Sequence, residues 1–227
     1  VSVTAAQGFR AAGIAAGLKS TGRPDVALVV NEGPLDVAAA VFTSNRVVAA
    51  PVTWSRQVVE DGRASAVVLN SGGANACTGP EGFLDTHRTA EHTADALGIS
   101  AGDTIVCSTG LIGVRLPMDK LLPGVDAAVT ALSTDGGTDA AHAIMTTDTV
   151  AKTAVVTVET TTGTWTVGGM AKGAGMLAPG LATMLSVITT DAAVDAATAD
   201  AALRAATTAT FDRVDSDGCM STNDTVV

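Results

Sequence analysis

The stretch that decides the fold runs from Gly168 to Asp191 and reads GGMAKGAGMLAPGLATMLSVITTD. It opens with flexible glycines and one lysine, Lys172, passes a Pro179-Gly180 turn and ends in an apolar run typical of a core strand. A phosphate-binding loop needs a lysine that follows glycine, whereas Lys172 precedes Gly173, and no GxGxxG opens a helix. The stretch therefore indicates neither of the common nucleotide-binding loops.

A different chemistry is suggested by the pair Ala182-Thr183, which stands directly before the apolar run. A strained turn there would present the Ala182 carbonyl to the Thr183 hydroxyl, an N→O acyl shift would give an ester, and hydrolysis would free the Thr183 amine. With a pKa near ~8, that amine can act as base for its own hydroxyl. On these residues alone, a glycine-rich loop that merely enters a core strand stays an open alternative.

Composition excludes several classes of protein. The 227 residues carry 13 basic against 23 acidic side chains, for a net charge of −10, and only 3% are aromatic. Too little positive charge and too few stacking rings argue against a nucleic-acid partner. No apolar run approaches the ~20 residues that span a bilayer, and no signal peptide is recognisable at the start. We therefore expect a cytoplasmic protein without membrane contact.

Metal and disulfide chemistry are not indicated either. The three cysteines lie far apart without CxxC spacing, and the three histidines form no ligand-spaced cluster, at Cys77, Cys107, Cys219, His87, His92 and His142. We expect no metal site, no cofactor and no disulfide framework.

Short β-branched runs alternate with alanine-rich segments, which predicts a mixed α/β layered architecture. Strands are predicted at 25–30, 65–69, 104–107, 153–158, 164–167 and 184–188, with a further strand beginning at 224. Helices are predicted at 85–97 and 195–211, and Pro123-Gly124 is expected to separate a helical turn at 118–122 from a helix at 125–132. The clearest loop is 133–139.

Two further segments follow predicted strands. Asn70–Gly79 (NSGGANACTG) is either a substrate-lining loop or an ordinary tight connection to a helix. Cys107–Gly113 (CSTGLIG) contains a Thr-Gly pair that, in a turn at a strand end, could aim a hydroxyl and backbone N–H groups at one point, as an oxyanion hole requires. A plain turn is the alternative.

Together these motifs resemble the ornithine acetyltransferase family, ArgJ. The resemblance is carried, in the family's order, by NSGGANACTG (70–79), CSTGLIGVRLP (107–117), AIMTTDT (143–149), KGAGMLAPGLAT (172–183) and RVDSDGCMSTNDT (213–225). It covers nearly the whole chain. It implies an α+β fold, an αββα-type layered sandwich of the ArgJ/DmpA-like N-terminal-nucleophile kind.

The resemblance also implies processing. Family members cut themselves at the bond that matches Ala182–Thr183, so residues 1–182 would form an α chain and 183–227 the start of a β chain. The remainder of that β chain, with a glutamate and C-terminal Asn and Thr/Ser substrate ligands, is expected beyond Val227. In the family the two chains stay associated, usually as α2β2 heterotetramers.

The implied reaction is a ping-pong transfer of acetyl from N2-acetyl-L-ornithine to L-glutamate in arginine biosynthesis, and some members also accept acetyl-CoA. Thr183 matches the nucleophile that carries the acetyl ester, and Thr109 and Gly110 match the oxyanion hole. Lys172 matches a substrate-binding lysine, and one of Thr146 and Thr147 matches a substrate-contacting threonine.

Two other functions remain compatible with the residues. An amidase-type N-terminal-nucleophile hydrolase would use the same Thr183 but pass the acyl group to water. A small-molecule binding protein would use the glycine-rich loops only to shape a pocket.

Overall fold

The structure is a computed structural model that describes residues 2–161, 163–179 and 184–227. In chain order the strands and helices are β1 (Phe9–Ile14), β2 (Val26–Asn31), β3 (Val41–Phe42), α1 (Ala50–Val58), β4 (Ala66–Gly73), α2 (Gly79–Leu97), β5 (Thr104–Leu111), α3 (Met118–Thr130), α4 (Gly137–Ala143), β6 (Lys152–Thr160), β7 (Gly163–Lys172), β8 (Leu185–Thr190), α5 (Ala196–Ala209) and β9 (Thr225–Val226). Short 3₁₀ helices lie at Val59–Asp61, Ala101–Asp103 and Phe211–Arg213.

The strands of the described residues form two sheets. One has the order β1-β2-β4-β5 and the other β3-β9-β8-β7-β6. Each sheet contains a parallel pair, β4 with β5 and β8 with β9. A parallel pair needs a crossover, and helices α2 and α5 lie in the two connections. The first crossover places β5, which carries Thr109, beside β4, and the second places β9 beside β8.

The sheets pack face to face, with α2, α3 and α5 outside them, whereas α4 packs into the core between them. Alternate side chains of β2 point to opposite faces, as the two-residue period of a strand requires. Ala27 and Val29 belong to a core that also contains Met170 and Val187 of the second sheet. Leu28 instead belongs to the core formed with α2 and α3. The expected αββα layering is confirmed.

Helix α5 forms the fourth layer. Asp195 caps its first turn by accepting a hydrogen bond from the Thr198 N–H at 2.7 Å. Its Leu203 packs against Met184 and Val226, next to the start of β8. In the described parts of the chain, no helix is long and apolar enough to cross a membrane.

The prediction of a helix break at Pro123 is wrong. Helix α3 runs through this residue without interruption from Met118 to Thr130. Proline removes one backbone donor, but Leu121, Val125 and Ala128 lie on one buried stripe that continues across it. Burial of that stripe outweighs the missing hydrogen bond.

Other elements differ mainly at their ends. The predicted strand beginning at 224 is confirmed as β9, and β4, β5 and β7 run several residues further than expected. The predicted loop 133–139 is partly wrong, because α4 begins at Gly137. Strand β1 and helix α1 were not predicted, since FRAAGI lacks a β-branched run and α1 has no side-chain cap.

Candidate active site

Lys172 and Thr109, both singled out from the sequence, meet inside the protein. The ammonium of Lys172, the last residue of β7, donates a hydrogen bond to Thr109 Oγ1 in β5 at 3.1 Å. The two residues are only 2% and 5% exposed. Because the hydroxyl oxygen accepts from lysine, the hydroxyl proton is directed elsewhere and can be donated to another acceptor.

The charge of Lys172 is held among four other charged groups. Burial lowers its pKa, since the surroundings hydrate an ammonium poorly. The carboxylates of Asp148 and Asp224 oppose this effect, whereas Lys152 and Lys19 add to it. The five groups comprise three lysines and two carboxylates, an excess of positive charge in a chain whose net charge is −10. Such an excess can attract a carboxylate ligand.

Gly110 follows Thr109 at a very close approach of two strands. A turn at the end of β5 was expected for Thr109 and Gly110. The pair instead belongs to the strand itself, with Gly110 opposite Gly72. Gly110 has φ +132°, and a Cβ placed on it would lie 2.6 Å from Gly72 C and Gly73 N. Only glycine fits here. Gly110 is exposed, so its backbone faces outward beside the buried Thr109.

Asp148 connects the AIMTTDT segment with Lys172. Its carboxylate accepts from the Gly173 N–H at 2.8 Å and the Thr146 N–H at 3.2 Å, and it is paired with Lys152. Thr146 is partly buried and Thr147 is exposed. Asp148 was not predicted as a site residue, although it lies inside the AIMTTDT motif.

Three of the quoted motifs converge on one amide. The Asn223 side chain donates to the Ala74 carbonyl at 2.6 Å and to the Ser108 carbonyl at 2.8 Å. Ser108 Oγ in turn donates to Asn70 Oδ1 at 2.6 Å, and Asn70 Nδ2 donates to the Gly73 carbonyl at 3.0 Å. These bonds fix the carboxyl ends of β4 and β5. Asn70–Gly73 continue β4 rather than forming a loop.

The segment after Lys172 is held by residues 216–217. Asp217 Oδ2 accepts from the Met176 N–H at 2.8 Å, and the Ser216 N–H donates to the Leu177 carbonyl at 2.8 Å. Met176 has φ +56°, a conformation that few side chains adopt readily. The predicted cleavage residues Ala182 and Thr183 lie outside the described residues.

Asp224 is another buried carboxylate that was not predicted as a site residue. Its side chain is fully buried, and Oδ1 accepts from the Met184 N–H at 2.8 Å. Burial raises the pKa of Asp224 to about 6, although the Met184 N–H, the hydroxyls of Ser221 and Thr43 and the charge of Lys172 each lower it. No local pattern marks this residue; the parallel pairing of β9 with β8 brings it to Met184.

Comparison with known proteins fits this arrangement of motifs. The family model described as "ArgJ family" matches residues 10–227. The chain belongs to the ArgJ family. It is 71% identical over 227 residues to the arginine biosynthesis bifunctional protein ArgJ of Streptomyces coelicolor. That alignment covers all of this chain but 58% of the relative, so the chain spans little more than half of the relative's length.

Solved structures agree with the ArgJ assignment and with the fold. An ornithine acetyltransferase from Mycobacterium tuberculosis, solved in complex with ornithine, has 57% identity and a TM-score of 0.75, over 81% of this chain and 96% of that one. An L-aminopeptidase D-Ala-esterase/amidase from Ochrobactrum anthropi, described as a variant of the Ntn hydrolase fold, has 14% identity and a TM-score of 0.57 over 99% of this chain and 72% of that one. The second likeness concerns the fold alone.

Proposed function

We propose that the full-length protein is an autoprocessed acetyltransferase of arginine biosynthesis, which moves acetyl from N2-acetyl-L-ornithine to L-glutamate. The observation that carries this proposal is the buried contact of Lys172 with Thr109, beside the exposed backbone of Gly110. Membership in the ArgJ family and the ornithine complex of the M. tuberculosis relative support it. Because the chain spans 58% of its relative's length, the activity is proposed for the whole protein.

Cleavage between Ala182 and Thr183 is the first step of the proposal. The Thr183 hydroxyl oxygen attacks the Ala182 carbonyl carbon, the C–N bond breaks, and the nitrogen leaves with the hydroxyl proton. Water then hydrolyses the ester, which restores the hydroxyl and leaves a carboxylate on Ala182 and a free amine on Thr183. Residues 1–182 thereby become the α chain, and residue 183 begins the β chain.

The length of the solved relative supports this cut. Its alignment uses 96% of that chain and 81% of the present one, which corresponds to about 184 of 227 residues. An α chain that ended at Ala182 would have nearly the same length. The hydrogen bonds between Asp217 and Met176 and between Ser216 and Leu177 also support the cut, because they fix the chain shortly before it.

The same hydroxyl then carries the acetyl group. The Thr183 hydroxyl oxygen attacks the acetyl carbonyl carbon of acetylornithine, and the Thr183 amine accepts the hydroxyl proton. Ornithine then leaves with that proton, and an acetyl-Thr183 ester remains. The glutamate amine attacks the ester, the Thr183 hydroxyl regains a proton, and acetylglutamate leaves. The Thr109 hydroxyl and the Gly110 N–H stabilise the oxyanion of both tetrahedral intermediates.

Substrate binding is assigned to the charged groups beside this centre. Lys172 pairs with a substrate carboxylate, and one of Thr146 and Thr147 contacts substrate, near the hydrogen bonds that Asp148 accepts from the Thr146 and Gly173 N–H groups. Further ligands belong to the part of the β chain beyond Val227. The α and β chains associate as α2β2, and the enzyme acts in the cytoplasm without a cofactor.

Replacement of Thr183 in the full-length protein tests the proposal. Thr183→Ala should run as one band on a denaturing gel and release no ornithine. The wild type should give two bands, the smaller beginning Thr-Met-Leu-Ser. Thr190→Ala, at the far end of β8, is the matched control and should be cut like the wild type. A Thr183→Ala protein that is still cut would overturn the autoprocessing.

The dependence on glutamate separates transfer from hydrolysis. Release of ornithine from acetylornithine should require added L-glutamate, and acetylglutamate should form in equal amount. Release at full rate without glutamate would instead assign the protein to the amidase-type hydrolases. Binding of acetylornithine without any turnover would leave only the binding-protein interpretation.

A further inference from the structure

Two lysines, Lys172 and Lys19, donate to neutral oxygens and not to carboxylates. The Lys172 ammonium donates to the Thr109 hydroxyl at 3.1 Å, and the Lys19 ammonium donates to the Pro24 carbonyl at 2.8 Å. In the described parts of the chain, neither lysine forms an ion pair. Lysines are seldom buried without a charged partner. In a chain with 23 acidic and 13 basic residues, this arrangement indicates that an anionic ligand belongs beside them.

Asp25 determines where Lys19 lies. Its carboxylate is buried and accepts hydrogen bonds from the backbone N–H groups of Ala16 at 2.7 Å, Leu18 at 2.6 Å and Lys19 at 2.9 Å. Three backbone donors satisfy most of what a carboxylate can accept and fix the loop between β1 and β2. Asp25 therefore holds the backbone of this loop, and the Lys19 ammonium is left to bind carbonyl oxygens.

The same loop packs against the strand pair that carries Gly110. A Cβ built on Gly72 would lie 3.2 Å from the Leu18 carbonyl carbon, and Gly72 is opposite Gly110 where β4 pairs with β5. Lys19 follows Leu18 directly in the chain. Its backbone therefore lies next to the strand ends that form the candidate site.

A shared carbonyl relates the two ammonium groups. The Ala143 carbonyl, at the end of α4, accepts from Lys19 Nζ at 3.5 Å and from Ser71 Oγ. Ser71 in β4 is the register partner of Thr109 in β5, to which Lys172 donates. Register partners have their side chains on the same face, and adjacent strands lie about 4.8 Å apart. Lys19 and Lys172 are thus bound to neighbouring groups on one face of the first sheet.

The electrostatics of Lys19 agree with an anionic ligand. Burial lowers the pKa of Lys19, and the charge of Arg23 lowers it further, whereas Asp25 and Asp148 raise it. Lys19 in turn adds to the lowering of the pKa of Lys172. Two cations that act on each other in this way repel, and a carboxylate bound beside them would stabilise both charges.

We propose that Lys19 is a specificity-determining residue that binds the side-chain carboxylate of the acceptor, L-glutamate, while Lys172 binds its α-carboxylate. This inference rests on the proposed function. The two substrates share an α-carboxylate but differ at the other end, which is an ammonium in acetylornithine and a carboxylate in glutamate. A second cation therefore favours the acceptor alone, whereas Lys172 serves both substrates.

The test compares two acceptors in the full-length protein with Lys19→Met. L-Glutamine has the shape of L-glutamate but no charge on its side chain, and the wild type should prefer glutamate. In Lys19→Met the ratio of kcat/KM for glutamate to kcat/KM for glutamine should fall at least about tenfold, as expected for the loss of a hydrogen bond to a charged group. The KM for acetylornithine should not rise, because its side chain ends in a cation.

Lys120→Met is the matched control. Lys120 donates to the Gly17 carbonyl of the same loop at 3.1 Å, and its replacement should leave the ratio as in the wild type. A merely structural role of Lys19 would change the rates with both acceptors by the same factor. A ratio that falls less than tenfold in Lys19→Met would therefore overturn the inference. That result would leave the proposed function intact, which fails separately if Thr183→Ala is still cut.

A second variant covers a loss of folding. If Lys19→Met is inactive or its thermal midpoint falls by several degrees, the ratio is measured in Lys19→Gln. This side chain keeps a donor for the Pro24 and Ala143 carbonyls and removes the charge. The same tenfold fall supports the inference, and a smaller one overturns it. Failure of both variants to fold would show that Lys19 only supports the loop, which also overturns the inference.

Discussion

Lys172 and Thr109 are joined by a hydrogen bond of 3.1 Å that connects the two sheets of the sandwich. One residue ends β7 and the other lies near the end of β5. The contact therefore depends on the packing of the sheets and not on local sequence. It brings a buried cation to a hydroxyl whose proton is left for a ligand, which gives the first prediction.

Lys172→Met should impair substrate binding and leave the fold intact. Methionine fills a similar volume without burying a charge, so the thermal midpoint should not fall. A hydrogen bond to a charged group contributes about 1.5–3 kcal/mol, which corresponds to about a tenfold to hundredfold higher KM for acetylornithine. Steady-state kinetics of the full-length enzyme measure this. Lys120→Met, which removes a surface lysine bound to the Gly17 carbonyl, is the control and should change nothing.

Gly110→Ala should damage both stability and transfer, whereas Gly113→Ala should affect stability alone. Both glycines have positive φ, +132° and +84°, but a Cβ on Gly113 meets nothing within 4 Å. The shared backbone strain costs about 1–2 kcal/mol. The contact with Gly72 and Gly73 should cost about 1–3 kcal/mol more in Gly110→Ala. Urea denaturation measures the difference, and equal losses in the two variants would contradict the close approach.

Asp148→Asn should destabilise the protein at neutral pH but not in acid. The Lys152 ammonium and the Gly173 and Thr146 N–H groups hold the pKa of Asp148 below its ordinary 3.8, against the opposing effect of burial. A depressed pKa stabilises the folded state above 3.8, and this contribution is lost as the pH falls through the folded value. We expect a difference of about 1–2 kcal/mol at pH 7. A difference that stays constant below pH 3.8 in urea denaturation would refute this.

Asp224 should show the opposite pH dependence in the uncut chain. Its folded pKa of about 6 lies above the ordinary 3.8, so it favours the folded state in acid and loses this contribution as the pH rises from 3.8 to about 6. The gap corresponds to about 3 kcal/mol. In a Thr183→Ala background, Asp224→Asn should therefore remove a loss of stability over that range. Urea denaturation from pH 4 to 8 measures this change. The same pH dependence of stability with and without Asp224→Asn would contradict the raised pKa of Asp224.

Cys107 should resist alkylation, whereas Cys77 and Cys219 should react. Burial raises the pKa of the Cys107 thiol to about 12, although a hydrogen bond with Thr225 lowers it slightly. The other two cysteines are exposed. Iodoacetamide labelling at pH 8, followed by peptide mass mapping, should modify Cys107 only after denaturation. Rapid labelling of Cys107 in the native protein would show that the core between the sheets opens readily.

The sequence predicted the layers and the two residues that meet at the site, but not the contacts between distant segments. The apolar runs at 25–30 and 184–188 marked core strands, because side chains buried on both faces leave few other arrangements. The helix break predicted at Pro123 was wrong, because a rule that uses only local sequence does not include the stabilisation from the buried stripe of α3. Asp148 and Asp224 were missed because each acts on a residue at least 25 positions away in the chain.

The position of β8 has a mechanical consequence. This strand has β7 on one edge and β9 on the other, and Met184 at its start packs against α5. Because β9 follows β8 in the chain and pairs with β3, a cut between β7 and β8 would leave the second polypeptide paired with the first at two edges, β8 with β7 and β9 with β3. Severing the link between β7 and β8 would therefore give two polypeptides that still share the core between the sheets, and their separation would expose that core to water.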